Sequence, residues 1–174
     1  MPPFRAEGTV PDAMTAAPEA PKSTAPTRLK PIVTLDIKFF WEGCDRGELL
    51  AERCSVCSKF RFPPRPMCPH CHSLKRDHVK LSGRGTVYSW IRPRHPQPVG
   101  FAEPPVVALI DLEEGFRIVS NLVGIEFEKV TPALPVQVEF EPTMGNRKVP
   151  VFKPSPLPPL PQAGEGRKAS GRGE

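Results

Sequence analysis

Cys54-Ser-Val-Cys57 and Cys68-Pro-His-Cys71 set four cysteines in two pairs with ten residues between them. A tetrahedral zinc ion needs four soft ligands converging on one point. Two short Cys-x-x-Cys knuckles on neighbouring hairpins deliver them, two thiolates each. Four thiolates close the coordination shell, so the metal predicted here is structural and not catalytic. Two disulfides, or four ordinary buried cysteines, would use the same residues. The paired spacing and the lack of an apolar leader favour zinc, and the segment reads as a zinc ribbon. His70 and His72 lie beside Cys71, where they are either exposed knuckle residues or substitute ligands. The fifth cysteine, Cys44, reads as a small buried hydrophobe on a helix.

The elements that must position these ligands follow from periodicity. Ile37, Phe40, Trp41 and Cys44 fall at i, i+3, i+4 and i+7, one apolar face of a short helix that Gly43 and Gly47 end. Glu48–Arg53 then reads as a strand entering the first knuckle. Phe60-Arg-Phe62 leaves that knuckle, and Pro63-Pro-Arg-Pro66 stiffens the link to the second. In so small a ribbon the metal replaces a hydrophobic core. His78 lies in a polar connector and reads as solvated.

From Gly83 the pattern becomes β. Residues 85–91 alternate, 106–112 are nearly continuous and apolar, and Glu113-Glu-Gly115 is a turn into the return strand 116–123. Residues 136–140 alternate again, and 149–152 supply a closing strand. Five strands with one long proline-rich loop, Pro93–Pro105, suit a small Greek-key barrel of the OB type, an open sandwich being the alternative. Tyr88 and Trp90 fall on one face of the first of these strands.

Composition bounds the rest. Of 25 prolines, seven fall in residues 1–35 and six in 150–161, where apolar periodicity is absent. The expected organisation is a disordered Pro/Ala-rich arm (1–31), an amphipathic helix (32–47), the zinc ribbon (48–80), the OB barrel (81–154) and a Pro/Gly-rich disordered tail (155–174). The fold class is mainly β with disordered ends. No apolar run has the length of a membrane span, and reduced cysteines holding zinc suit the cytoplasm.

The net charge of +5 invites a nucleic-acid reading, but its distribution argues against one. Residues 46–94 hold eleven Lys and Arg against three acids, whereas residues 95–141 hold two against eight. An acidic half fits poorly beside a phosphate backbone. A zinc-ribbon/OB nucleic-acid-binding protein, with Tyr88 and Trp90 as stacking platforms, remains the alternative.

With these elements placed, the chain resembles the zinc-ribbon plus OB-fold proteins called domain of unknown function 35. The resemblance rests on Phe40-Trp-Glu-Gly43 with Gly47-Glu-Leu49, on Cys54-x-x-Cys57, and on Pro63-Pro-Arg65 running into Cys68-Pro-x-Cys71. It continues through Gly85–Ser89, the His95–Pro105 loop, Leu112-x-Glu-Gly115 and Val149–Phe152. Ser58 and Thr131-Pro132-Ala133 depart from it, standing where such proteins prefer glycine.

The resemblance implies a non-catalytic accessory subunit. Its partners would be a thiolase-like enzyme, a lipid-transfer-protein-type aldolase or a hotdog-fold hydratase, and it would help hold acyl-CoA. Neither nucleic acid nor a membrane is expected as a partner. Arg92, Arg94 and His95, in the loop entering the barrel, are the candidate acyl-CoA contacts, because loops on rigid barrels carry binding residues. Cys54, Cys57, Cys68 and Cys71 are the candidate metal ligands. Cys44 has no base beside it, so an enzyme acting alone is not expected.

Overall fold

The structure is a computed structural model that describes residues 28–96 and 98–156. Most of the expected arm and tail therefore lies outside the described residues. The last residues of the arm do not stand apart. Arg28 donates from Nη1 to Asn121 Oδ1 at 2.9 Å and pairs with Glu141 at 2.9 Å, and its carbonyl accepts from Met144 N at 2.8 Å.

A 3-10 turn (Leu35–Ile37) leads into helix α1 (Lys38–Arg46). The expected apolar face forms, with Phe40 and Cys44 buried. The helix stops at Gly47, whose φ of 80° is left-handed and costs a glycine little. Gly43 has a different role from the one expected. It lies inside the helix, where a Cβ would meet the Leu50 side chain at 2.8 Å, so its absence lets α1 sit on the next strand.

The ribbon is a three-stranded antiparallel sheet ordered β2-β1-β3, from β1 (Leu50–Cys54), β2 (Phe60–Arg61) and β3 (Arg76–Lys80). The third strand occupies the presumed polar connector. His78 is accordingly not simply solvated: its ring stacks on Phe39 at 3.9 Å and 4°.

The barrel is closed, ordered β4-β5-β6-β8-β7, from β4 (Arg84–Ile91), β5 (Val106–Leu112), β6 (Arg117–Leu122), β7 (Pro135–Pro142) and β8 (Lys148–Pro154). Every pairing is antiparallel except β6 with β8, which is parallel. That closure is the OB arrangement, and it excludes the open sandwich. On β5 the alternate residues Val106, Ala108, Ile110 and Leu112 point inward and are buried, joined by Val87, Val136 and Phe152.

One expectation fails on this barrel. Tyr88 and Trp90 do not share a face, because a bulge between Val87 and Ser89 shifts the β4–β5 register. Trp90 comes to pair with inward-facing Ala108 and packs on the core, while Tyr88 stays outside at 53% exposure.

Ribbon, helix and barrel meet in an aromatic cluster. Phe60 and Phe62 each lie 5.2 Å from the Phe116 ring, and Phe40 lies 6.3 Å from Phe62. Asp45 adds a polar tie from α1, accepting from Arg147 Nη1 at 2.6 Å and Lys148 N at 3.0 Å.

Candidate metal centre and the groove beside it

The two knuckles are near copies. In each, the residue after the second cysteine donates its N–H to the carbonyl of the first, Ser58 to Cys54 and His72 to Cys68, both at 2.9 Å. In each, that residue is left-handed, Ser58 at φ 57° and His72 at φ 58°. Serine thus accepts the conformation glycine would take freely.

This geometry brings all four cysteines together, with their sulfurs within 4.8 Å of one another. Cys54 and Cys71 lie 3.5 Å apart, as do Cys57 and Cys68. A tetrahedron with Zn–S bonds of about 2.3 Å has edges of about 3.8 Å, so the cage fits a zinc ion. Neither His70 nor His72 belongs to the cluster.

The sulfurs compete for charge. The Cys54 thiol is drawn down to about 5, first by the Cys57 backbone N–H and then by the Arg61 guanidinium. The Cys71 thiol is pushed up to about 12: a backbone bond at Ser73 lowers it, but lost water and the other three sulfurs outweigh that. A divalent cation resolves the conflict by taking the charge of all four thiolates. Cys44 stays outside, fully buried, its thiol raised to about 12 chiefly by burial.

Arg61 is the site residue that sequence reading missed. It is 1% exposed and donates to three backbone carbonyls: Pro66 from Nη1 at 3.2 Å, and Ser73 and Lys75 from Nη2 at 2.9 and 2.6 Å.

The loop residues divide. Arg94 and His95 are exposed. Arg92 is held back on the barrel, its guanidinium 4.8 Å from the Phe127 ring and 3.7 Å from Glu128 Oε1. None of the three lines the apolar groove beside the loop. That groove, of about 630 Å³, runs between α1 (Phe40, Trp41), the ribbon (Phe62, Pro63), β6 (Val119) and the far half of the loop (Val99, Phe101). Arg28 also lines it, its guanidinium 4.9 Å from the Phe101 ring.

A tetrathiolate ribbon packed through a short helix onto a closed Greek-key barrel defines a zinc-ribbon/OB-fold protein. Residues 41–75 match the family described as "ChsH2, rubredoxin-like zinc ribbon domain", and residues 78–141 match "ChsH2, C-terminal OB-fold domain". The chain belongs to the DUF35 family.

Among its relatives is a DUF35 domain-containing scaffold protein of Methanocaldococcus jannaschii. It is 37% identical over 99 residues, covering 55% of this chain and 70% of the relative. A probable enoyl-CoA hydratase alpha subunit of Thermomonospora curvata is 39% identical over 137 residues. The match takes in 79% of this chain but 42% of that subunit, so the chain spans less than half of its length. Among solved structures, one chain of an Ltp2-ChsH2(DUF35) aldolase is 40% identical, with a TM-score of 0.68. The match covers 72% of this chain and 98% of that one. No helix among the described residues is long and apolar enough to cross a membrane.

Proposed function

We propose that this chain is a non-catalytic accessory subunit of an acyl-CoA-processing enzyme, a thiolase-like enzyme, an aldolase or a hydratase, and that it has no turnover alone. The observation carrying this reading is the likeness to a chain of an Ltp2-ChsH2(DUF35) aldolase, which takes in 98% of that chain at 40% identity. The zinc then organises a docking module. In this reading Arg94 and His95, with Arg92 behind them, meet the charged head of acyl-CoA, since Arg attracts phosphate by charge and hydrogen bonding. The apolar groove beside the loop suits an uncharged portion of ligand or partner.

The competing nucleic-acid reading has less support. Single-strand binding needs paired aromatic platforms on a basic surface. Here the bulge parts Tyr88 from Trp90, and Arg117, 3.7 Å from the Tyr88 ring, is tied to Asp111 at 2.6 Å.

Co-purification of the tagged full chain from its own cells, read by mass spectrometry, tests the proposal. A thiolase-like, aldolase or hydratase subunit in stoichiometric amount is expected. In the reconstituted complex, Arg92→Glu with Arg94→Glu should raise KM for acyl-CoA severalfold while zinc content stays at one per chain. Acyl-CoA turnover by the isolated chain would reject the subunit reading. A salt-steep gel shift with single-stranded DNA would favour the alternative.

A further inference from the structure

Arg61 is among the largest fully buried side chains of the described residues, and none of their carboxylates pairs with it. Glu52, its direct neighbour across the sheet, is turned to Arg76 Nε at 3.2 Å and to the Arg65 backbone N–H at 3.4 Å. The three carbonyls around Arg61 stabilise a cation by their dipoles but carry no charge. A buried guanidinium without a counter-anion is strongly unfavourable.

The metal site has the opposite imbalance. Four thiolates around a divalent cation leave two negative charges, here beside a largely buried set of sulfurs. Arg61 Nε is buried with no hydrogen-bond partner among the described residues, and Cys54 and Cys68 are the anionic groups whose fields reach the guanidinium.

We propose that Arg61 is the buried counter-charge and positioning residue of the metal centre. Its Nε–H, unpaired here, is the donor left for the Cys54/Cys68 edge of the thiolate cage once the metal is bound, and the guanidinium then offsets one of the two negative charges. Its Nη donors meanwhile fasten the second knuckle on both flanks, at Pro66 before Cys68 and at Ser73 and Lys75 after Cys71. Metal and arginine then form one buried ion pair, and each makes the other's burial tolerable. Outer-sphere partners of this kind tune affinity by one to two orders of magnitude in metal sites.

The test uses the full chain loaded with zinc, and follows zinc transfer to a colorimetric chelator. Arg61→Met, which keeps the stem and removes the charge, should release zinc at least tenfold faster than the native chain. Arg61→Lys, which keeps the charge without the planar fork, should fall between them. A folded Arg61→Met chain releasing zinc within twofold of the native rate would overturn the proposal. A second measurement needs no variant. In the native chain loaded with cadmium-113, a side-chain N–H proton of Arg61 should show scalar coupling to the metal through a sulfur. A purely structural fork would give none, and its absence in a cadmium-loaded, folded chain would likewise reject the assignment.

Discussion

Glu52 and Arg61 stand directly opposite each other in the β1–β2 register, each 1% exposed, and make no ion pair with one another. Each turns instead to a different part of the ribbon. Glu52 fastens β3 through Arg76 and receives the Arg65 N–H, while Arg61 fastens the second knuckle. Glu52→Ala should therefore destabilise the zinc-loaded protein by about 2 kcal/mol, since a fully buried side chain is replaced by a cavity and the Arg65 N–H and the partly exposed Arg76 guanidinium lose their acceptor. Denaturant titration measures it, and a loss under about 1 kcal/mol would show that Glu52 is dispensable.

The metal ligands and Cys44 should separate cleanly. Cys57→Ser should lose zinc and the ribbon's order, whereas Cys44→Ala should keep one zinc per chain by elemental analysis. Cys44 also predicts a pH effect. Its folded thiol sits at about 12 against an ordinary 9.0, chiefly through burial. A raised acid of this kind contributes its full stability below pH 9.0 and loses it as pH climbs towards 12. The native chain should thus weaken between pH 9 and 11 more steeply than Cys44→Ala, and parallel slopes would contradict the assignment.

Ala133 occupies a left-handed position, φ 58°, in the turn before β7, with its N–H bonded to the Val87 carbonyl at 2.8 Å. A Cβ there is unfavourable, and glycine avoids it. Ala133→Gly should raise stability by about 1 kcal/mol, seen as a higher Tm. An unchanged or lower Tm would mean that the turn carries no such strain.

Arg28 gives the N-terminal segment an end point. Trimming residues 1–27 should leave Tm within a degree or two of the full chain. Trimming 1–30 should lower it measurably, because the latter removes the contacts with Asn121, Glu141 and Phe101. Equal Tm values for the two truncations would show that the Arg28 contacts add nothing.

How far the sequence discloses this molecule depends on whether a signal is local. The cysteine knuckles, the face of Phe40 and Cys44, and the nearly continuous apolar run of β5 are all local patterns, and each forms its element where expected. The β4 bulge is set by how β4 fits β5, and strict alternation gives no warning of it. Arg61 sits in Phe60-Arg-Phe62, where nothing in the local pattern marks a charged residue for burial. The ribbon has no outward side there, because the second knuckle folds over it. Arg28 lies in a proline- and threonine-rich stretch whose composition hides its contacts with residues more than ninety positions away.

The parallel seam between β6 and β8 fixes an order of events during synthesis. On the side away from β5, Asn121 and Leu122 pair with Val151 and Phe152, and β8 also pairs along most of β7. The barrel therefore cannot close until the end of β8 has left the ribosome. All four cysteines and β3 are complete by residue 80, some seventy residues earlier. A nascent chain can thus hold its metal while the barrel strands are still emerging. Cellular zinc supply would then act on this protein as it is being made, before it has a barrel with which to meet any partner.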